Sequence, residues 1–243
     1  MSLKPLIIAA ALGTAAATAT PALAADGNTI APGNTTLSLS AEGRSTRAPD
    51  IALFSAGVSN QARTAAEALA ANAAAMNQVV AALKRAGIEG RDIQTSNLSV
   101  GPVYANQQGS NRPKVVAYQV NNQVSVRERK VAELGKVLDA LVEAGANDVN
   151  GPNFGLDAPD AALDEARAAA MKAARARAQL YAAAAGLKVL RIVSINESGG
   201  YAPRPAPMLM ARMAVADAAP SPVEAGEVAT NATVNVVFEL APQ

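Results

Sequence analysis

The chain has 243 residues, 50% of them hydrophobic and 17% charged, with no His, Cys or Trp. Its 21 Lys and Arg against 20 Asp and Glu give a net charge of +1, so it lacks the basic field that grips a polyanion, and no nucleic-acid partner is expected. The missing His and Cys exclude a Ser-His-Asp triad, a thiol nucleophile, a CxxC redox pair and any zinc site built from those ligands.

The chain opens with one charge, Lys4, followed by an apolar run from Leu6 to Ala19 and the small-residue triplet Ala22-Leu23-Ala24. That pattern predicts a secretory signal peptide over residues 1–24, since the run is short and too diluted by Ala and Thr for a bilayer span. A retained N-terminal anchor is the alternative. Cleavage leaves 219 residues with 20 charges of each sign. Charged residues interrupt every later Ala-rich stretch, so no transmembrane span is expected and the bacterial periplasm is the expected location.

In chain order, alternation of period two predicts strands over Thr35–Gly43 and Ile51–Ser59. A helix over 63–86 follows, with Leu69, Met76, Val79, Val80 and Leu83 on one stripe. Two strands, Ile93–Tyr104 and Val116–Val126, flank a polar hairpin tip at 105–114. The second half repeats the theme. A helix over 130–144 carries Val131, Leu134, Leu138, Leu141 and Val142; a strand spans Asp148–Leu156; and a long helix over 160–185 carries Leu163, Ala166, Ala170, Met171, Ala174 and Tyr181. All three helices end in Ala followed by Gly, at 86–87, 144–145 and 185–186, the signature of a left-handed helix stop.

After a strand at Val189–Glu197, residues 198–226 form a Pro- and Met-rich loop with five prolines, and a strand from Val228 to Leu240 closes the chain. The order ββαββ-αβαββ is α+β: two ββαβ-like halves, 25–128 and 129–243, of antiparallel sheet with Ala-rich helices laid on it. With 59 Ala and only 3 Phe and 4 Tyr, those helices should be thin-faced and lie close to the sheet.

Asp157, Asp160, Asp164 and Glu165 form the densest carboxylate cluster, and two of them could divide general-acid and general-base work or ligate a metal. The plainer reading is negative charge at a helix N-terminus, with Arg167, Lys172, Arg175 and Arg177 further along as a solvated surface. Met208, Met210 and Met213 supply soft sulfur for Cu(I) or for oxidant capture, against the plainer role of flexible apolar filler. Ser198-Gly199-Gly200 lacks the spacing of a phosphate loop or nucleophile turn. Tyr104, Tyr118 and Tyr201 are too few for base stacking. No catalytic residue and no cofactor follows from these residues.

The segment Gly90-Arg91-Asp92-Ile93-Gln94-Thr95-Ser96-Asn97-Leu98-Ser99-Val100 with Pro102-Val103-Tyr104 resembles the signature of the SIMPL-domain family. Ala144-Gly145-Ala146-Asn147-Asp148-Val149 leading to Phe154, Glu165-Ala166-Arg167, and Pro222-Val223-Glu224-Ala225-Gly226-Glu227 before Phe238-Glu239-Leu240 agree with it in order. The family pattern often has Pro where this chain has Ala225. The resemblance implies a periplasmic α+β protein, commonly oligomeric, linked to envelope or oxidative stress, and it brings no established catalytic residue. The expected function is therefore a non-enzymatic oligomeric or binding module. The alternatives are a carboxylate- or metal-dependent enzyme and a Met-loop copper or oxidant buffer.

Uncovered sheet edges point to a homo-oligomer, with Val234 and Val236 of the terminal strand and Met208, Met210 and Met213 as expected contacts. Peripheral contact with the envelope stays open. If the leader reading is right, the intact mass of the exported protein will correspond to a chain starting at Ala25; a mass that retains Lys4 refutes it.

Overall fold

The computed structural model describes residues 30–105, 113–198, 204–205 and 223–243. Strands β1 (Thr35–Arg47) and β2 (Ile51–Ala62) lead to helix α1 (Ala65–Arg85) and the strand pair β3 (Ile93–Ala105) and β4 (Lys114–Glu128). Then come α2 (Leu134–Glu143), β5 (Asp148–Gly155), α3 (Asp160–Ala184), β6 (Leu187–Ser198), the two-residue β7 (Arg204–Pro205) and β8 (Val228–Pro242). The α+β class and the expected order hold, with β7 added.

The strands form two antiparallel sheets that do not follow the sequence halves. One has the order β1-β8-β6, with β7 also on β8; the other is β3-β4-β2-β5. Thus β1 leaves its sequence neighbours to pair with β8, from Thr35 opposite Leu240 to Arg47 opposite Val228, while β5 from beyond residue 128 joins β2.

The β3-β4-β2-β5 sheet is covered on one face by α1 and α2. Helix α1 starts in a reciprocal capping box: the Glu67 amide donates to Thr64 Oγ1 (3.2 Å) and the Thr64 amide to Glu67 Oε2 (3.3 Å). Its end and that of α2 follow one recipe. Ile88 N–H donates to Leu83 O and Gly87 N–H to Lys84 O, and likewise Ala146 to Leu141 and Gly145 to Val142. This stop needs a left-handed residue, and Gly87 and Gly145 have φ of 94° and 98°. Met76, Val79 and Leu83 of α1 with Leu134, Val137 and Leu141 of α2 are buried on Phe54, Val58, Val124 and Val126. Leu69, expected on the α1 stripe, is 43% exposed. Asn72 is buried instead, its Nδ2 donating to Val58 O at 2.8 Å and pinning the helix to β2.

The second core is unlike the first. Helix α3 buries only alanines, Ala162, Ala166, Ala170, Ala174, Ala178 and Ala182, against Ala41, Val234, Val236, Phe238 and Leu240. A row of every fourth residue runs obliquely to the helix axis and so follows a twisted sheet. Of the larger residues expected on the buried stripe, Met171 is half-buried and packs on this core, whereas Tyr181 is 51% exposed. The reason is distance. A Cβ built on Gly43 of β1 would lie 2.1 Å from Ala166 O and 2.2 Å from Ala170 N, so strand and helix backbones are in contact.

Strand β8 is central, bonded to β1 on one side and β6 on the other, and Val234 and Val236 are 3% and 1% exposed. The expectation that they form an oligomer contact at an open edge is corrected: both belong to the α3 core. Glu239 on β8 is also buried and accepts from Asn34 Nδ2 (2.7 Å), Ala31 N–H (3.1 Å) and Arg191 Nε (2.7 Å), tying the segment before β1 to the sheet.

Gly43→Ala should lower the free energy of unfolding in urea by about 2–3 kcal/mol, the upper range for overpacking, because backbone and not a flexible side chain must move. Gly101→Ala is the control: its new Cβ meets nothing within 4 Å, and stability should change by no more than about 0.5 kcal/mol.

Candidate functional site

The four carboxylates grouped in the sequence part company in space. Asp157 takes Arg129 at 2.6 Å and Arg127 at 3.3 Å; Asp164 takes Arg167 at 2.9 Å; Glu165 accepts from Ser45 Oγ (2.7 Å) and Arg47 (2.6 Å). The Ser45 hydroxyl, then Arg47, holds the Glu165 carboxyl below the usual carboxylate range. Asp160 sits in the first turn of α3, where its charge suits the helix dipole, yet the N-cap residue is Pro159 and no side chain caps. Among the described residues no three acidic side chains gather as metal ligands.

The basic residues of α3 also have separate neighbours. Arg167 reaches Glu197 at 3.0 Å, Arg177 donates to Ser40 O at 2.9 Å, and Lys172 and Arg175 line a shallow surface depression. Ser198 ends β6, its Oγ accepting from Asn235 Nδ2 at 2.9 Å. Met208, Met210, Met213, Gly199, Gly200 and Tyr201 lie outside the described residues.

Sequence reasoning singled out no concave site, yet the β3-β4-β2-β5 sheet builds one on the face away from its helices. Directly opposed residues share a face, so the register assembles Ser55, Ser59 and Gln61 of β2 with Gln119, Asn121, Gln123 and Ser125 of β4. Gln94 and Ser99 extend the row onto β3, and Asn150 onto β5. The row is uncharged and internally bonded: Ser59 Oγ donates to Asn121 Oδ1 (2.7 Å), Gln119 Nε2 to Ser59 Oγ (3.0 Å) and Gln123 Nε2 to Ser55 Oγ (3.0 Å).

At one end this face deepens into a cavity of about 440 Å³. The β2–β5 register shifts between Leu53 and Ser55, and at the bulge Gly151, with φ of 108°, brings its backbone close to Leu53 and Phe54. Arg91 and Arg127 stand in the wall with Asp92; Gln94, Ser125, Asn150 and Asn153 supply amides and a hydroxyl.

Behind that wall lies a forked ion pair. The side chain of Asp92, 5% exposed, receives Arg129 in a fork, Nε to Oδ2 at 2.9 Å and Nη2 to Oδ1 at 3.0 Å. Arg129 spends its Nη1 on Asp157, and Asp157 N–H donates to Asp50 Oδ1 at 2.7 Å. The Arg129 hydrogen bonds, then the nearby guanidinium charges, hold the Asp92 carboxyl below its ordinary 3.8. The sequence signal for this wall was the alternation on β4, which puts 125 and 127 opposite in direction to Val124 and Val126.

The sequence model of SIMPL, described as a protein of unknown function (DUF541), matches residues 37–238. The chain belongs to the SIMPL family. It is 38% identical over 213 residues to the 26 kDa periplasmic immunogenic protein of Brucella melitensis, covering 84% of each chain. It is 32% identical over 199 residues to the uncharacterized protein YggE of Escherichia coli K12, covering 80% of this chain and 78% of that one. The Arg91-Asp92 turn thus belongs to the segment that carries the SIMPL resemblance, and the structure gives Asp92 a physical task there. No helix among the described residues is long and apolar enough to cross a membrane.

A depressed carboxyl contributes stability above its unfolded value that is lost as pH falls through its folded value. Asp92→Asn should therefore cost about 1.5–3 kcal/mol at neutral pH, the range for hydrogen bonds to charged groups, and should flatten the acid limb of stability below 3.8. Urea unfolding of both proteins across that limb decides it, and an unchanged limb counts against the pair.

Proposed function

We propose that this SIMPL chain is a non-enzymatic periplasmic module that self-associates and serves cell-envelope and oxidative-stress defence. The observation that carries the self-association is the outer side of β3, which no other described strand covers. Among the described residues β3 pairs with β4 alone; it holds no charged residue from Ile93 to Ala105 and exposes Leu98 (56%), Val100 (46%) and Tyr104 (54%). An uncharged edge with exposed apolar residues is a template for a further strand, and Pro102 blunts only part of it. This edge takes the place of Val234 and Val236 in the contact surface.

The non-enzymatic reading is supported by the state of the carboxylates. Asp92, Glu165 and Glu239 are all held below their ordinary values by hydrogen-bond donors, the direction away from a general acid poised near neutrality. The periplasmic location draws on the leader pattern at 1–24 and on the name of the Brucella relative, a periplasmic immunogenic protein. The stress role draws on the family resemblance.

Light scattering of the processed protein at micromolar concentration should give a multiple of the single-chain mass. Leu98→Lys combined with Val100→Lys should reduce that multiple while the melting temperature stays within a few degrees, about what exposed substitutions cost. A folded wild-type monomer over that concentration range refutes self-association.

A further inference from the structure

We infer that the cavity at the end of the amide-lined sheet face is a binding site for a small hydroxylated carboxylic acid, a sugar acid or the terminal acidic sugar of a glycan. Its volume of about 440 Å³ falls within the range of small-molecule sites. The lining carries two guanidiniums, Arg91 and Arg127, paired from outside by Glu89 and Asp157, and one carboxylate, Asp92, paired from behind by Arg129. Asp92 already holds Arg129 in a fork and has Arg91 at 4.0 Å, so its charge is answered by guanidiniums.

The two arginines are available to a ligand. The Arg127 side chain is 45% exposed and gives Asp157 a long bond of 3.3 Å, and that of Arg91 is 69% exposed, held by Glu89 at 2.9 Å outside the lining. A carboxylate matches the fork of a guanidinium, which supplies two parallel donors. Away from the arginines, the lining offers groups that both donate and accept. Ser55 Oγ accepts from Gln123, which leaves its own proton to donate, and Ser125, Gln94 and Asn153 add a hydroxyl and two amides. Such pairs suit hydroxyls, which need a donor and an acceptor each. The half-exposed Leu53 supplies an apolar patch for the carbon side of a ring. None of this depends on the outer edge of β3 or on self-association.

Saturation-transfer NMR with the processed protein and galacturonate tests the assignment, with galactose as the neutral partner of identical ring and inorganic phosphate as the bare anion. Galacturonate should show saturable transfer, with galactose and phosphate weaker by about tenfold or more, the equivalent of one charge-assisted contact. Arg127→Gln and Arg91→Gln should each weaken galacturonate by about tenfold. Asn153→Asp, which adds a negative charge to the lining without touching an ion pair, should do the same in a chain of unchanged melting temperature.

The 1-O-methyl galacturonoside separates the two sources: retained binding identifies a glycan terminus, and lost binding a free acid. Equal transfer to galactose, equal affinity for phosphate, absence of saturable transfer, or indifference to Asn153→Asp would each overturn the proposal. The self-association measurement is separate, so either reading can fail without the other.

Discussion

The contact between Gly43 and the backbone of α3 at Ala166 and Ala170 sets the geometry of half the molecule. With atoms this close, any side chain between helix and strand must be small, and the six buried positions of α3 are all alanine. Each alanine gives up little apolar area, so that core gains from the strand side, where Val234, Val236, Phe238 and Leu240 fill the space. Larger residues of α3 stay out of that row for the same reason, Met171 packing at its margin and Tyr181 facing outward. Close approach also lets Ser45 and Arg47, two and four residues after Gly43, meet Glu165 on the helix.

A second constraint lies where the chain passes between its sheets. The Asp92–Arg129–Asp157 series joins the turn before β3, the end of β4 and the link from β5 to α3, and Asp50, on the link from β1 to β2, receives the amide of Asp157. Both passages between the sheets therefore run through one set of charged hydrogen bonds, most of them between fixed forks and carboxylates. Its buried member, Asp92, would be costly if left unpaired, and Arg129 prevents that. The cavity wall inherits this rigidity, with Arg91 and Arg127 on its outer side.

Much of the fold was legible because its local signals agree. Alternation over Val116–Val126 and Val228–Leu240 marked two strands correctly, and three Ala-Gly steps marked three helix ends. The burial of α3 was partly legible: Ala166, Ala170 and Ala174 of the expected stripe are buried and Met171 packs on their core, but alanine favours helix on every face, and Tyr181, also expected there, is 51% exposed. The place of β8 within its sheet was not legible at all. Alternation reports which face is covered, whereas hydrogen bonding on both edges depends on strands some 40 and 190 residues earlier, an order of separation that local patterning does not encode. The cavity escaped for a similar reason, since residues near 53, 92, 126 and 151 meet only after pairing fixes the register.

The pairing of β1 with β8 has a consequence for the order of assembly. Residues 51–128 hold β2, α1, β3 and β4, which can pair and collapse among themselves as soon as they are available. Among the described residues β1 has no strand partner of that kind: all thirteen of its residues are matched to β8, so its ladder forms only when the largest loop between described strands closes. A chain emerging from its N-terminus therefore carries its earliest strand unpaired until its last one arrives. The polar, alternating sequence of β1, Thr-Thr-Leu-Ser-Leu-Ser-Ala-Glu-Gly-Arg-Ser-Thr-Arg, is suited to that wait, because it exposes little that would aggregate in the meantime.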